Sequence, residues 1–310
     1  MTTVPGILVM FLSLILSAAS VAFADDAAEE QAEWEPVSAG PLTTWTAPLC
    51  GRKKLVAQPF FYYNLTRGSF DNEGKCSGLP DGDSKFQYQE QILIQYGLTD
   101  RWEVDYQTVY QQNYRKQGGA SANAQGLGDS YLFGRYCFLE EKGALPHITG
   151  LLQVKFPTGR YQKLDREKLG TDAMAATSGG GSYESGFGII LTKKLKPLVF
   201  HADAIYAFPY ATKVDGVKTR YGQYLIYDFG AEYFLPKGFN LLLEFNGFLQ
   251  GDKRENGEYQ PATDQAYFNT CAGVGWSCEK ISTLLVYQRT LWGVNADAND
   301  SAVFTVVVPF

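Results

Sequence analysis

The stretch FQYQEQILIQYGLTDRWEVDYQTVY, residues 86–110, carries the reading on which the others rest. Phe86, Tyr88, Ile92, Ile94 and Tyr96 share one side of a two-residue period, and Gln87, Gln89, Gln91 and Gln95 share the other. After the break Leu98-Thr99-Asp100-Arg101 the alternation resumes, with Trp102, Val104 and Tyr106 opposing Glu103, Asp105 and Gln107. The pattern predicts two antiparallel strands, each well beyond the roughly five or six residues usual in soluble sheets. One face is apolar and aromatic; the other holds amides and charges. Alternation alone fits either a soluble core or a membrane wall with lipid on one side and a polar lumen on the other.

The rest of the chain separates these cases. Similar stretches recur at about 53–66, 85–97, 102–115, 129–139, 147–156, 182–193, 198–210, 222–234, 239–250, 264–276, 282–292 and 302–310, an even number of strands. The 20 Tyr and 20 Phe favour strands. Connections after the even-numbered strands are short, while those after the odd-numbered ones are longer and rich in Gly, Asp, Asn and Ser. Sorted loops, long strands and tyrosines near strand ends predict an all-β fold: a closed, antiparallel, up-and-down transmembrane β-barrel of about twelve strands. Two charges break the pattern. Glu90 and Arg289 fall on apolar faces, which calls for a position near an interface or a local bulge.

The termini fit the same picture. An apolar run from Ile7 to Ala19 followed by Ala22-Phe23-Ala24 reads as a cleaved secretory signal, residues 1–24. Residues 25–52 then form a periplasmic N-terminal extension, with or without plugging the lumen, and 53–310 the barrel. The final strand, SAVFTVVVPF, sets Phe304, Val306, Val308 and Phe310 on one face. It should close against the first strand, and it is similar to the C-terminal signal by which barrel-assembly machinery recognises bacterial outer-membrane proteins. The expected location is therefore the bacterial outer membrane, with membrane lipid and lipopolysaccharide as neighbours. A net charge of −6 argues against nucleic acid as a partner. Of the five cysteines, Cys50 and Cys76 flank a spanning strand and cannot bridge, whereas Cys50 and Cys278 fall on one side and could pair.

Two further stretches point to a family. GLGDSYLFGRY from Gly126, and VKFPTGRY from Val154 leading on to KLGTD, resemble the paired GLGD and PTG motifs of the family named for the MetA pathway of phenol degradation. The resemblance runs over roughly 110–235. It implies an outer-membrane channel, more distantly similar to transporters of hydrophobic compounds, and an association with the breakdown of aromatic compounds.

Chemistry in such a protein would lie along the lumen. Glu103, Asp105, Arg135, Lys155, His201, Asp203, Asp228, Glu232 and Glu244 are expected to point inward along the path of a small-molecule solute. Acidic groups outnumber Arg and Lys there, which predicts a mild cation preference. Twelve strands imply a narrow lumen, and the stretch 157–181 is long enough to fold inward as a constriction. His201 and Asp203 could form a base with its orienting carboxylate, but no GxSxG, HExxH or phosphate loop accompanies them. The acidic tips at 71–73, 81–83 and 295–300 lack the spacing of a calcium loop. No enzyme activity, metal or cofactor is expected. The alternative to a channel is a closed barrel with a structural or surface-interaction role, its inward charges forming a salt-bridged plug.

Overall fold

The computed structural model describes residues 34–159, 181–214 and 216–310. Its long strands are β1 (Leu55–Phe70), β2 (Ser84–Gly97), β3 (Trp102–Gln117), β4 (Ser130–Leu139), β5 (His147–Phe156), β6 (Glu184–Leu195), β7 (Leu198–Pro209), β8 (Tyr224–Phe234), β9 (Phe239–Gln250), β10 (Gln265–Ser277), β11 (Ser282–Val294) and β12 (Ala296–Pro309). Each pairs antiparallel with the next, and β12 returns to pair with β1. The barrel is closed. At the seam the Phe310 N–H donates to the Leu55 carbonyl at 2.8 Å, and Phe61 stacks on Phe304 outside it with ring centroids 6.5 Å apart.

Burial follows the two-residue period as a membrane wall requires. Phe61, Leu152, Phe187, Leu243 and Leu285 are exposed, while Glu103, Asp105, Arg135 and Glu244 are fully buried. A soluble fold buries apolar side chains and hydrates charges; here lipid takes the outer face and the lumen takes the charges.

The loops depart from the expected sorting at one point. Only Asn295 separates β11 from β12, in the left-handed region with φ of 47°, a conformation Asn tolerates. The ladder between these strands stops at Arg289 and Asp300. Beyond that pair β11 follows β10 and β12 follows β1, so the hairpin splays open and the presumed loop is strand. Among the other long connections, 120–127 folds back on β3, and the loops after β7 and β9 share a small four-stranded sheet. We call the end carrying these connections the loop side and the opposite end the turn side.

The two misplaced charges are accounted for differently. Arg289 does face outward, where its guanidinium lies 3.7 Å from the Asp300 carboxylate, close to the bulge opposite Phe268 and Asn269. Glu90 faces outward between Phe61 and Tyr110 with no register shift. All five cysteines are free thiols, so the Cys50–Cys278 bridge is not made. The signal segment 1–24, and residues 160–180 of the expected constriction, lie outside the described residues.

Glu90 on a lipid face costs stability that a neutral isostere recovers. Glu90→Gln should raise the stability of the refolded barrel in urea by about 1 kcal/mol, read as a higher unfolding midpoint at unchanged slope.

Candidate functional site

Between the acidic N-terminal residues and β1 lies SAGPLTTWTAPLC, residues 38–50, which carries no charge and two prolines. Pro41 and Pro48 each lack an N–H and cannot join a ladder, so this segment forms neither helix nor strand. The sequence leaves open whether this part of the N-terminal extension plugs the lumen; in the structure it runs inside the barrel. A lone chain there must still satisfy its backbone polar groups. Barrel side chains do this.

The Glu244 carboxylate accepts the N–H groups of Leu42 at 2.7 Å, Thr43 at 3.1 Å and Thr44 at 3.0 Å, together with the Thr44 hydroxyl at 2.8 Å. Asp203 accepts the Trp45 N–H at 2.8 Å. The Ala47 N–H donates to Thr192 at 2.9 Å, and its carbonyl receives the Thr149 hydroxyl at 2.6 Å. Arg135 donates to the Thr46 carbonyl, the Cys50 N–H donates to Glu103 at 2.5 Å, and the Ser38 hydroxyl donates to Glu232 at 3.1 Å.

Apolar contacts complete the seat. Ala39 and Leu42 pack with Phe60, Leu93, Leu242 and Val286, and Ala47 with Phe133, Leu151, Ile190 and Ile205. Trp45 joins both clusters, edge-on to Phe133 at 4.9 Å, with the Arg135 guanidinium 5.2 Å from its ring. Gly230 leaves room for the strap: a Cβ there would lie 3.2 Å from Pro41 and 3.3 Å from the Thr44 hydroxyl.

All nine lumen residues expected from the sequence are buried within the barrel, and five of them (Glu103, Arg135, Asp203, Glu232 and Glu244) touch the strap. Arg135 also pairs with Glu103 at 2.6 Å and Asp105 at 3.6 Å. His201 is held between Thr192 at 3.0 Å and Glu232 at 3.1 Å, while Asp203 turns to Trp45, so the two do not form a catalytic pair. Lys155 stands apart, bound to Glu184 and 3.4 Å from Asp129. The sequence leaves open whether the strap segment enters the lumen. Its signal was legible as the uncharged run from Val37 to Cys50 after an acidic segment.

The strap crosses the lumen between two cavities. A loop-side cavity of about 820 Å³ and a turn-side cavity of about 750 Å³ share Thr43, Trp45, Tyr62 and Gln107 as lining.

With this geometry in place, comparison with known proteins is informative. The family model described as "Putative MetA-pathway of phenol degradation" matches residues 88–300. The chain belongs to this family. Among solved structures, the COG4313 outer membrane channel from Pseudomonas putida F1 is similar over 87% of this chain and 100% of its own, with a TM-score of 0.70 at 13% identity. The β domain of the Bordetella autotransporter BrkA covers 84% of this chain and 100% of its own at TM-score 0.47 and 12% identity. The NanC porin covers 82% of this chain and 98% of its own at 0.45 and 11%. No curated protein matches. The likeness to the COG4313 channel bears out the barrel fold; the family match begins at residue 88 and so leaves out the strap.

In this family member the strap should report its own seating. Burial, with Glu103 alongside, pushes the Cys50 thiol up to about 12, so at pH 8 only about one thiol in ten thousand is ionised. At pH 8 maleimide should modify the exposed Cys76 and Cys278 first, with Cys50 lagging far behind. Glu244→Ala removes the acceptor of three strap N–H groups. It should bring Cys50 labelling forward at pH 8 and speed chymotryptic cleavage at Trp45 by about tenfold or more, while the barrel keeps its heat-modifiable gel mobility. Unchanged labelling and cleavage would contradict this seating.

Proposed function

We propose that the protein is a gated channel of the bacterial outer membrane, and that the structure is its closed state. The observation that carries this reading is the strap: a non-covalent segment lying between two cavities on the lumen axis, held largely by hydrogen bonds from side chains of the wall. Such a segment can leave without disturbing any strand pairing. Its departure lets water replace it at Glu244 and Asp203. The net cost per hydrogen bond is then on the order of 1 kcal/mol, far below that of an unpaired buried charge.

With the strap out, Glu103, Asp105, Asp203, Asp228, Glu232 and Glu244 face Arg135, Lys155 and His201 across the solute path. The acidic excess favours cations. The turn side would be periplasmic, and the face bearing Phe304, Val306, Val308 and Phe310 would be read by the barrel-assembly machinery, with membrane lipid and lipopolysaccharide around the exposed aromatic residues. The family description and the channel among the solved relatives support transport of small solutes, aromatic compounds included. The Thr192–His201–Glu232 chain is taken up at both ends by the strap, through the Ala47 N–H on Thr192 and the Ser38 hydroxyl on Glu232, which supports a role other than catalysis.

The strap also favours a second reading, a permanently closed barrel with a structural role. Planar-bilayer recording separates the two. The wild-type barrel should be mostly closed with rare openings. Glu244→Ala and Gly230→Val, which remove the main acceptor and crowd Pro41, should each raise open probability about tenfold or more, with a reversal potential favouring cations. Inserted barrels that stay silent in all three forms would establish the structural reading instead.

A further inference from the structure

The loop-side cavity has a chemistry distinct from the charged wall below it. We infer that it is a binding site for a neutral saccharide. Ten of its lining residues are Asn or Gln, Gln107, Asn246, Asn269 and Gln288 among them, and seven are aromatic. Among the described residues no Lys, Arg or His lines it, and its two carboxylates are Asp228 and Asp297, the latter ion-paired with Lys85 at 2.5 Å.

Two buried acceptors point to what is missing. The Asp228 and Asn269 side chains are 8% and 7% exposed, and an oxygen of each, Oδ1 in both cases, has no hydrogen-bond partner. Both residues line the cavity. Buried polar atoms are ordinarily paired, and binding sites are where they wait for a ligand. These acceptors require O–H or N–H donors.

A saccharide supplies the complement on every count. Its hydroxyls donate and accept, as do the carboxamides around the wall. Its C–H faces lie on flat rings such as Tyr62, Tyr131 and Tyr267. The volume of about 820 Å³ lies within the range of ligand pockets, roughly 300–1,000 Å³. A uronate or aromatic acid would meet no cation among the described lining residues and would face Asp228. A simple phenol brings one hydroxyl and would leave most of the amides unmatched. Trp45 and Thr43 of the strap form part of the same cavity, so an occupant touches the gate.

This assignment rests on the channel reading only in making the saccharide a cargo; binding itself needs no conduction. The test is calorimetry on the full barrel in a detergent without a sugar headgroup, titrated with maltose, cellobiose, lactose, sucrose and trehalose, and separately with digalacturonate and phenol. At least one neutral disaccharide should bind saturably and about tenfold or more tighter than digalacturonate or phenol. Asn269→Leu and Gln107→Ala should each weaken it about fivefold or more, with gel mobility confirming a folded barrel. No saturable binding of any neutral sugar, equal or tighter binding of digalacturonate or phenol, or affinity unmoved by both substitutions would overturn the assignment. Conduction by Glu244→Ala without sugar binding leaves the channel standing and removes the saccharide site; sugar binding by a barrel that never conducts does the reverse.

Discussion

A carboxylate with no access to water must be surrounded by donors, and Glu244 is surrounded by backbone. Residues 42–44 turn three successive N–H groups and the Thr44 hydroxyl onto it. Each side solves the other's problem: among the described residues the strap has no strand to pair with, and the carboxylate has no ion-pair partner. Neither could be buried alone without a cost of several kcal/mol. Charge-assisted bonds of this kind are directional as well as strong. They fix where the strap crosses, which in turn sets Trp45 against Phe133 and Arg135 and puts Ala47 between Thr149 and Thr192.

The same interaction explains how a barrel with so many buried charges holds together. The lumen is not uniformly polar. Phe60, Leu93, Leu242, Val286 and Val303 form an apolar patch on the side of β1, β2 and β9 to β12. Charges gather on β3, β4, β7, β8 and β9. The strap is uncharged, with Leu42 and Ala39 for the patch and exposed amides for the carboxylates, so it matches both surfaces at once. Lys155, Glu184 and Tyr224 form a separate network, with the Tyr224 hydroxyl donating to Glu184 at 2.6 Å. That network belongs to the wall and needs no strap.

The barrel was legible because its signal is local. Lipid and lumen impose a strict period of two, and every strand repeats it, so Glu103, Asp203 and Glu244 could be placed inside from neighbours in sequence alone. The start of β12 was not legible: the residues from Ala296 to Asp300 are polar and read as loop, yet they pair with β1 across the seam, a contact far away in sequence. The position of the strap is undecided in the sequence for a related reason. Its conformation follows no period, because its hydrogen bonds go to side chains some 50 to 200 positions away. The charges lie buried in the barrel, but the sequence does not show whether their partners are one another or the strap. Arg135, Glu103 and Asp105 do pair with one another; Glu244 and Asp203 do not.

A strap proposed to close the lumen can be locked in place. In a background with all five native cysteines replaced by serine, Thr43→Cys and Asn246→Cys place thiols at a pair of side chains in direct hydrogen-bond contact. Conductance of this double variant should be recorded before and after oxidation and again after reduction. Rapid cross-linking, conductance abolished by it and restored by a reducing agent is the predicted result. A cross-link that fails to form in the folded barrel, or a cross-linked barrel that conducts like the reduced one, would contradict the strap as the closing element.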